Sequence, residues 1–199
     1  MKGNAMEKST NTSKRKMRNI IIIAAAVVAV AAVAIAVIIN VWFDKHSSAK
    51  AAANAAFDAI YSGQYDLFVE STVYNSDCQE KIGLEELGFL QSSIKPMFDE
   101  AVEYLKEIDA KYTRTSSKQT VYEPGSDGFR EGFALLSEEY PSVVETAIEK
   151  IACVEIAFRY SWFDETDKQV KGTDRDTIWC ICVDGKWYAA PSLVGSDSQ

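Results

Sequence analysis

From Ile20 to Ile39 every residue is Ile, Ala or Val. Twenty such residues rise about 30 Å as a helix, close to one hydrocarbon thickness. A helix in a soluble core needs only one apolar stripe, whereas this run has no polar face. It reads as a transmembrane helix in which every backbone group is paired internally. Trp42 and Phe43 follow it, where aromatic rings favour the headgroup level, so the span is drawn over residues 20–43. A cleaved signal peptide shares the basic start and apolar stretch, but signal cores are typically about 7–15 residues, and the length here favours an uncleaved anchor.

Beyond the span the apolar positions become periodic. Ser47 or Ser48 can cap a helix that buries Ala53, Ala56, Phe57 and Ile60, turns Lys50, Asn54 and Asp58 outward, and stops at Gly63. Residues 64–73 suggest a second short helix carrying Leu67 and Phe68. Residues 82–108 suggest more helix broken near Pro96, with Phe98, Ala101, Val102, Leu105 and Ile108 on one stripe. A weaker strand pattern over 111–122 leads to a Pro124-Gly125 turn and a helix with Phe129, Phe133 and Leu136, ended by Pro141.

The last third alternates. Ala152, Val154, Ile156, Phe158, Tyr160 and Trp162 share one face of a long strand, with Cys153, Glu155, Arg159 and Ser161 on the other. A loop over 164–172 returns the chain into a second strand with Trp179, Ile181 and Val183 on its apolar face. Asp184-Gly185 then forms a two-residue hairpin turn into Lys186-Trp187-Tyr188. Helices followed by an antiparallel meander predict an α+β fold, the early helices covering one apolar sheet face.

Charge orients the anchor. Six basic residues (Lys2, Lys8, Lys14, Arg15, Lys16, Arg18) against Glu7 give residues 1–19 a net +5. Positive flanks stay in the cytoplasm, and a segment so polar is predicted to be a disordered tail whose basic cluster meets anionic headgroups. From Asp44 onward, 15 basic and 28 acidic residues leave −13. Residues 44–199 are thus placed outside the cell, and nucleic acid is excluded as a partner because phosphate contacts demand the opposite sign. The partners predicted are the lipid bilayer through residues 20–43 and an unknown protein or small molecule outside, with cations or basic surfaces the better guesses. Ala25, Ala29, Ala32 and Ala36 put small residues on one face of the span, which permits a homo-oligomer.

Two segments carry a family resemblance. Residues 53–66 (ANAAFDAIYSGQYD) and 183–188 (VDGKWY) resemble the opening helix and closing hairpin of the NTF2-like, or cystatin-like, superfamily, especially its membrane-tethered bacterial extracytoplasmic domains. The resemblance covers roughly residues 48–192 and implies a curved antiparallel sheet wrapped around helices to form a cone. Such cones host isomerases, hydratases and non-catalytic modules alike, so the fold does not choose the function.

Chemistry is sparse. His46, the single histidine, sits a few residues past the span and reads as a solvated linker residue, which excludes a histidine-based centre in the domain. Glu100, Glu103, Glu107, Glu138 and Glu139 fall on outer helical faces. Asp58 and Tyr61 on the first helix, with Tyr160 and Trp162 on the strand face, form the one set that points to a pocket, although core packing accounts for them equally well. No phosphate loop, nucleophile elbow or two-histidine motif is present, and neither metal nor cofactor is predicted. Cys78, Cys153, Cys180 and Cys182 lie beyond the span, where disulfides persist. A hairpin centred near Asp167 would set Cys153 opposite Cys182 as a cross-strand disulfide, the alternative being unpaired thiols packed as small hydrophobes. The leading expectation is therefore a membrane-anchored extracytoplasmic binding or scaffold module without catalysis. A conjugative-secretion scaffold component is a more specific form of it, and a cone-pocket enzyme using carboxylate and tyrosine is the rival.

Overall fold

Ser48 starts the first helix, α1 (Ala49–Ser62), by accepting the Ala51 N–H at 3.1 Å from an extended backbone. Gly63 ends it in the left-handed region at φ +69°, where the Gly63 and Gln64 amides reach back to the Ile60 and Ala59 carbonyls. The computed structural model describes residues 44–84, 87–164 and 166–191, with the backbone alone over 87–91. The predicted tail and span, residues 1–43, lie outside the described residues. Among the described helices none is long and apolar enough to cross a membrane.

After α1 come α2 (Tyr65–Ser71), α3 (Ser76–Lys81), α4 (Leu87–Glu107), β1 (Lys111–Tyr122), α5 (Asp127–Glu139), a 3-10 turn (Glu145–Ala147), β2 (Lys150–Phe163), β3 (Gln169–Val183) and β4 (Lys186–Ala190). The fold is α+β, with a four-stranded antiparallel sheet in the order β1-β2-β3-β4. Three expectations on element limits are corrected. Residues 82–84 fall outside the helix expected over 82–108, because Ile82 caps α3 and Gly83 lies at φ +76°. α4 runs through Pro96 unbroken; the interior proline costs about 3 kcal/mol, which burial of Ile94 and Phe98 on either side of it offsets. The loop drawn over 164–172 closes at residue 168, because Gln169 already pairs with Phe163. α3 had no counterpart in the sequence pattern; Asn75 caps it by accepting the Asp77 and Cys78 amides.

The sheet is buried on both faces at one end rather than on one face throughout. Ala152, Cys180 and Ala189 line up across β2, β3 and β4, and this row of small residues lies in one cluster with Ala49, Ala53, Ala56 and Phe57 of α1. The adjacent row, Ile151, Ile181 and Tyr188, points the other way and joins Phe129 and Leu136 of α5 with Phe68, Val73, Ile82 and Phe98 from α2 to α4. Trp179, Ile181 and Val183 therefore face away from α1, and residues 180–183 are buried in unbroken succession, as in strands covered on both sides. The β4 edge is closed by the preceding chain: Thr72 bridges Ala189 in parallel, and the Val73 N–H donates to the Ala189 carbonyl at 2.8 Å. β1 carries a bulge at Thr115, whose hydroxyl donates to the Ala157 carbonyl.

Gly132 sets how close α5 comes to the sheet. A Cβ there would lie 2.7 Å from Ile151 Cγ2 and from the Trp179 ring. Gly132→Ala would gain up to about 1 kcal/mol of helix propensity on an exposed surface; here overpacking should instead leave the full chain about 1–2 kcal/mol less stable. The denaturant midpoint in detergent reads this, and a raised midpoint would show that α5 stands off the sheet.

Candidate functional site

Beyond the alanines, α1 carries Phe57 and Tyr61, four residues apart and so on one face. They meet the aromatic half of the same sheet face. Tyr61 stacks on Tyr112 of β1 with centroids 3.9 Å apart and planes 20° from parallel. Phe57 sits edge-on to Tyr61 at 4.6 Å, and Phe158 of β2 closes the cluster at 5.3 Å from Phe57 and 5.7 Å from Tyr112. The ladder continues along β2 through Tyr160, 6.4 Å from Phe158, to Trp162, which stacks on Tyr160 at 4.5 Å and 19°. Gly172, opposite Tyr160 on β3, admits this arrangement: a Cβ there would lie 2.4 Å from the Tyr160 hydroxyl oxygen.

The ladder ends in a cleft of about 560 Å³ walled by Tyr104 of α4, Ile108 just past its end, Tyr112, Trp162, Phe163, Asp164 and Thr166. Tyr104 is 60% exposed and Phe163 38%. Two local devices hold its walls. α4 stops at Asp109, φ +45°, with the Ala110 N–H returning to the Leu105 carbonyl at 2.8 Å, and the Phe163 N–H donates to the Ile108 carbonyl at 2.9 Å. In the β2–β3 loop, Asp164 Oδ1 accepts from the Thr166 amide (2.9 Å), the Thr166 hydroxyl (2.7 Å) and the Lys168 amide (3.0 Å).

Of the four pocket candidates, Tyr61, Tyr160 and Trp162 belong to one ladder, and Trp162 alone lines the cleft. Asp58 does not join them. Its carboxylate accepts from Arg114 Nε (3.2 Å) and Nη2 (2.7 Å) at the rim, and with half of its side chain exposed this pair adds under about 1 kcal/mol. Burial, then Tyr112, Asp176 and Asp174, hold the Tyr61 phenol above its ordinary range. Burial likewise raises the Asp176 carboxyl, with Asp174 adding to it, against the Thr177 amide that lowers it. Asp174 and Asp176 were not among the expected site residues; the alternation of Gly172, Asp174, Asp176 and Ile178 puts both on the ladder face once the loop closes at residue 168. Tyr104, Tyr112 and Phe163 were also missed, since only the assembled fold brings the end of α4 to the end of β2.

The remaining expectations fall out differently. His46 is half-buried and pinned to β4: Nδ1 donates to the Trp187 carbonyl at 2.8 Å, the Trp187 N–H donates to the His46 carbonyl, and the ring lies 4.6 Å from that of Tyr188. It is not a solvated linker residue. Cys153 lies opposite Trp179, and Cys182 opposite Lys150, which puts the two thiols on opposite sheet faces; all four cysteines are free. Among the described residues no cluster of His, Cys, Asp and Glu has the geometry of a metal site. No protein-family profile and no curated protein sequence matches the chain.

Asp164 gives the cleft a pH signature. The Thr166 hydroxyl and the Lys168 and Thr166 amides lower its pKa in the folded state. Its hold on the loop is therefore complete above the ordinary carboxylate range and is lost as pH falls through the lowered folded value. Hydrogen exchange at the Thr166 and Lys168 amides should stay slow down to that value and then quicken, whereas Asp164→Ala should make both fast at neutral pH. Unchanged protection in the variant would show that the loop holds without the side chain.

Proposed function

We propose that this chain is a membrane-anchored extracytoplasmic binding module, an NTF2-like domain that docks a partner or ligand at its aromatic cleft and performs no catalysis. The anchor rests on the 20-residue Ile/Ala/Val run and on the change from +5 before it to −13 beyond it. An α+β fold with an antiparallel sheet and packed helices is compatible with the NTF2-like resemblance. The observation that carries the binding reading is the cleft itself, where Tyr104 and Phe163 expose aromatic surface beside the half-buried Trp162. Large exposed rings that share one concave wall are a feature of recognition surfaces.

The enzyme reading needs a carboxylate and a phenol free to exchange protons at a reacting atom. Tyr61 is stacked under Tyr112 with its phenol held protonated, and Asp58 is engaged by Arg114. One observation favours that rival, the raised Asp176 carboxyl electrostatically coupled to Tyr61.

Cells expressing the full chain test both parts. The protein should remain with the membrane through a salt wash, dissolve in detergent, and lose its outer domain to protease added to intact cells. A photo-reactive phenylalanine analogue at Phe163 should yield a discrete adduct that Trp162→Ala reduces about tenfold, equivalent to 1.4 kcal/mol, and the same analogue at Lys118 should yield none. A chain recovered in the soluble fraction, or equal adducts at both positions, would overturn the proposal.

A further inference from the structure

A second cleft, of about 450 Å³, lies on the other sheet face, where the end of α5 meets β3 and β4. Its apolar wall is Leu135, Leu136, Trp179 and Ala190; its polar wall is Thr177, Glu138 and Glu139. The placing of the two carboxylates opposes ordinary helix electrostatics. The last turn of α5 carries no basic residue, and the C-terminal end of a helix is its negative pole, which favours cations. Among the described residues neither Glu138 nor Glu139 has an ion-pair partner.

Behind Glu139 the next residue, Tyr140, is buried, with its hydroxyl 2.8 Å from that of the buried Tyr74. Burial raises the Glu139 carboxyl above its ordinary range, against the neighbouring Tyr140 hydroxyl. The cleft therefore sets a negative helix end beside an indole and two leucines, and Leu135 is 46% exposed.

We propose that this cleft binds a small organic cation, an ammonium or guanidinium group on an aromatic or aliphatic body. The body covers Leu135, Leu136 and Trp179, and the cation sits between the α5 carboxylates within reach of the Trp179 ring. Three attractions converge: the negative helix end, the two carboxylates, and the face of an indole, which draws cations within about 6 Å. The volume lies within the 300–1,000 Å³ range of small-molecule sites. This site does not depend on the aromatic cleft around Trp162, and either stands if the other fails.

The probe is phenethylammonium, titrated against the full chain in uncharged detergent, with the Trp179 indole N–H resonance identified through Trp179→Phe. Saturable shifts of that resonance are expected. Uncharged 2-phenylethanol and anionic 3-phenylpropanoate should bind at least about tenfold more weakly, and Glu138→Gln with Glu139→Gln should cost the cation at least about tenfold. Glu103→Gln with Glu107→Gln, which removes the same charge from the outer face of α4, should leave affinity within about twofold. Equal binding of the amine and the alcohol, equal losses in the two double variants, or binding that appears only after residues 192–199 are removed would each overturn the proposal.

Discussion

The close seating of α1 on the sheet is the constraint on which the remaining structure depends. Ala49, Ala53 and Ala56 share one buried cluster with the Ala152, Cys180, Ala189 row, so small residue meets small residue at this end of the contact. The Cys180 Sγ–H even reaches the Ala49 carbonyl at 3.4 Å. Toward its C-terminal end the same helix carries Phe57 and Tyr61, and the strands below carry Phe158 and Tyr112. Side-chain size thus increases along one helix–sheet contact, a wedge built from residue volumes, and its thick end continues into the Tyr160–Trp162 stack. A bulky residue at Ala53 or Ala56 would fill the thin end and undo the taper, because cores packed to crystal density do not absorb extra methylenes freely.

Register makes the wedge possible. β2 and β3 pair from Phe163–Gln169 down to Lys150–Cys182 without a slip, and a single-residue shift would move Trp179 and Ile181 under α1 while sending Cys180 to α5. The large residues Ile151 and Trp179 are tolerated on the α5 side because Gly132 presents no side chain there. One sheet face is matched to an alanine helix and the other to a glycine helix, so each face rejects the other's partner. The Asp164 loop sits at the turn that sets this register, which links the acidic tip to packing at the far end of the sheet.

Much of the fold was legible in residue order because the signals were local. Ser48 and Gly63 bound α1, Asp184-Gly185 turns the last hairpin with both residues at positive φ, and alternation marks β2. Non-local choices were not legible. Both β2 and β3 show a clean apolar alternation, and the simplest inference placed both apolar sets on one face; only the actual loop length reveals that they point oppositely. The disulfide geometry imagined for Cys153 and Cys182 rested on the same phase and is absent for the same reason. Of the site, the aromatic ladder could be anticipated from Tyr61, Tyr160 and Trp162, whereas its cleft needs Tyr104 from a helix more than fifty residues earlier in the chain.

The chemistry follows from which groups the packing immobilises. The phenols of Tyr61 and Tyr112 and of the Tyr74–Tyr140 pair are shifted upward by burial, so near neutral pH they serve as ring surface and as hydrogen-bond donors rather than as bases. The carboxylates that remain accessible stand at rims, Asp174 and Asp176 beside the ladder, Glu138 and Glu139 beside the second cleft. Neutral aromatic floors with negative rims attract cations at close range and repel anions at long range. In a segment that carries −13 overall, local and global fields act in the same sense. The two floors differ in shape and apolar area, one being an open aromatic wall and the other an indole flanked by two leucines, so the same field would favour different bodies behind a positive group.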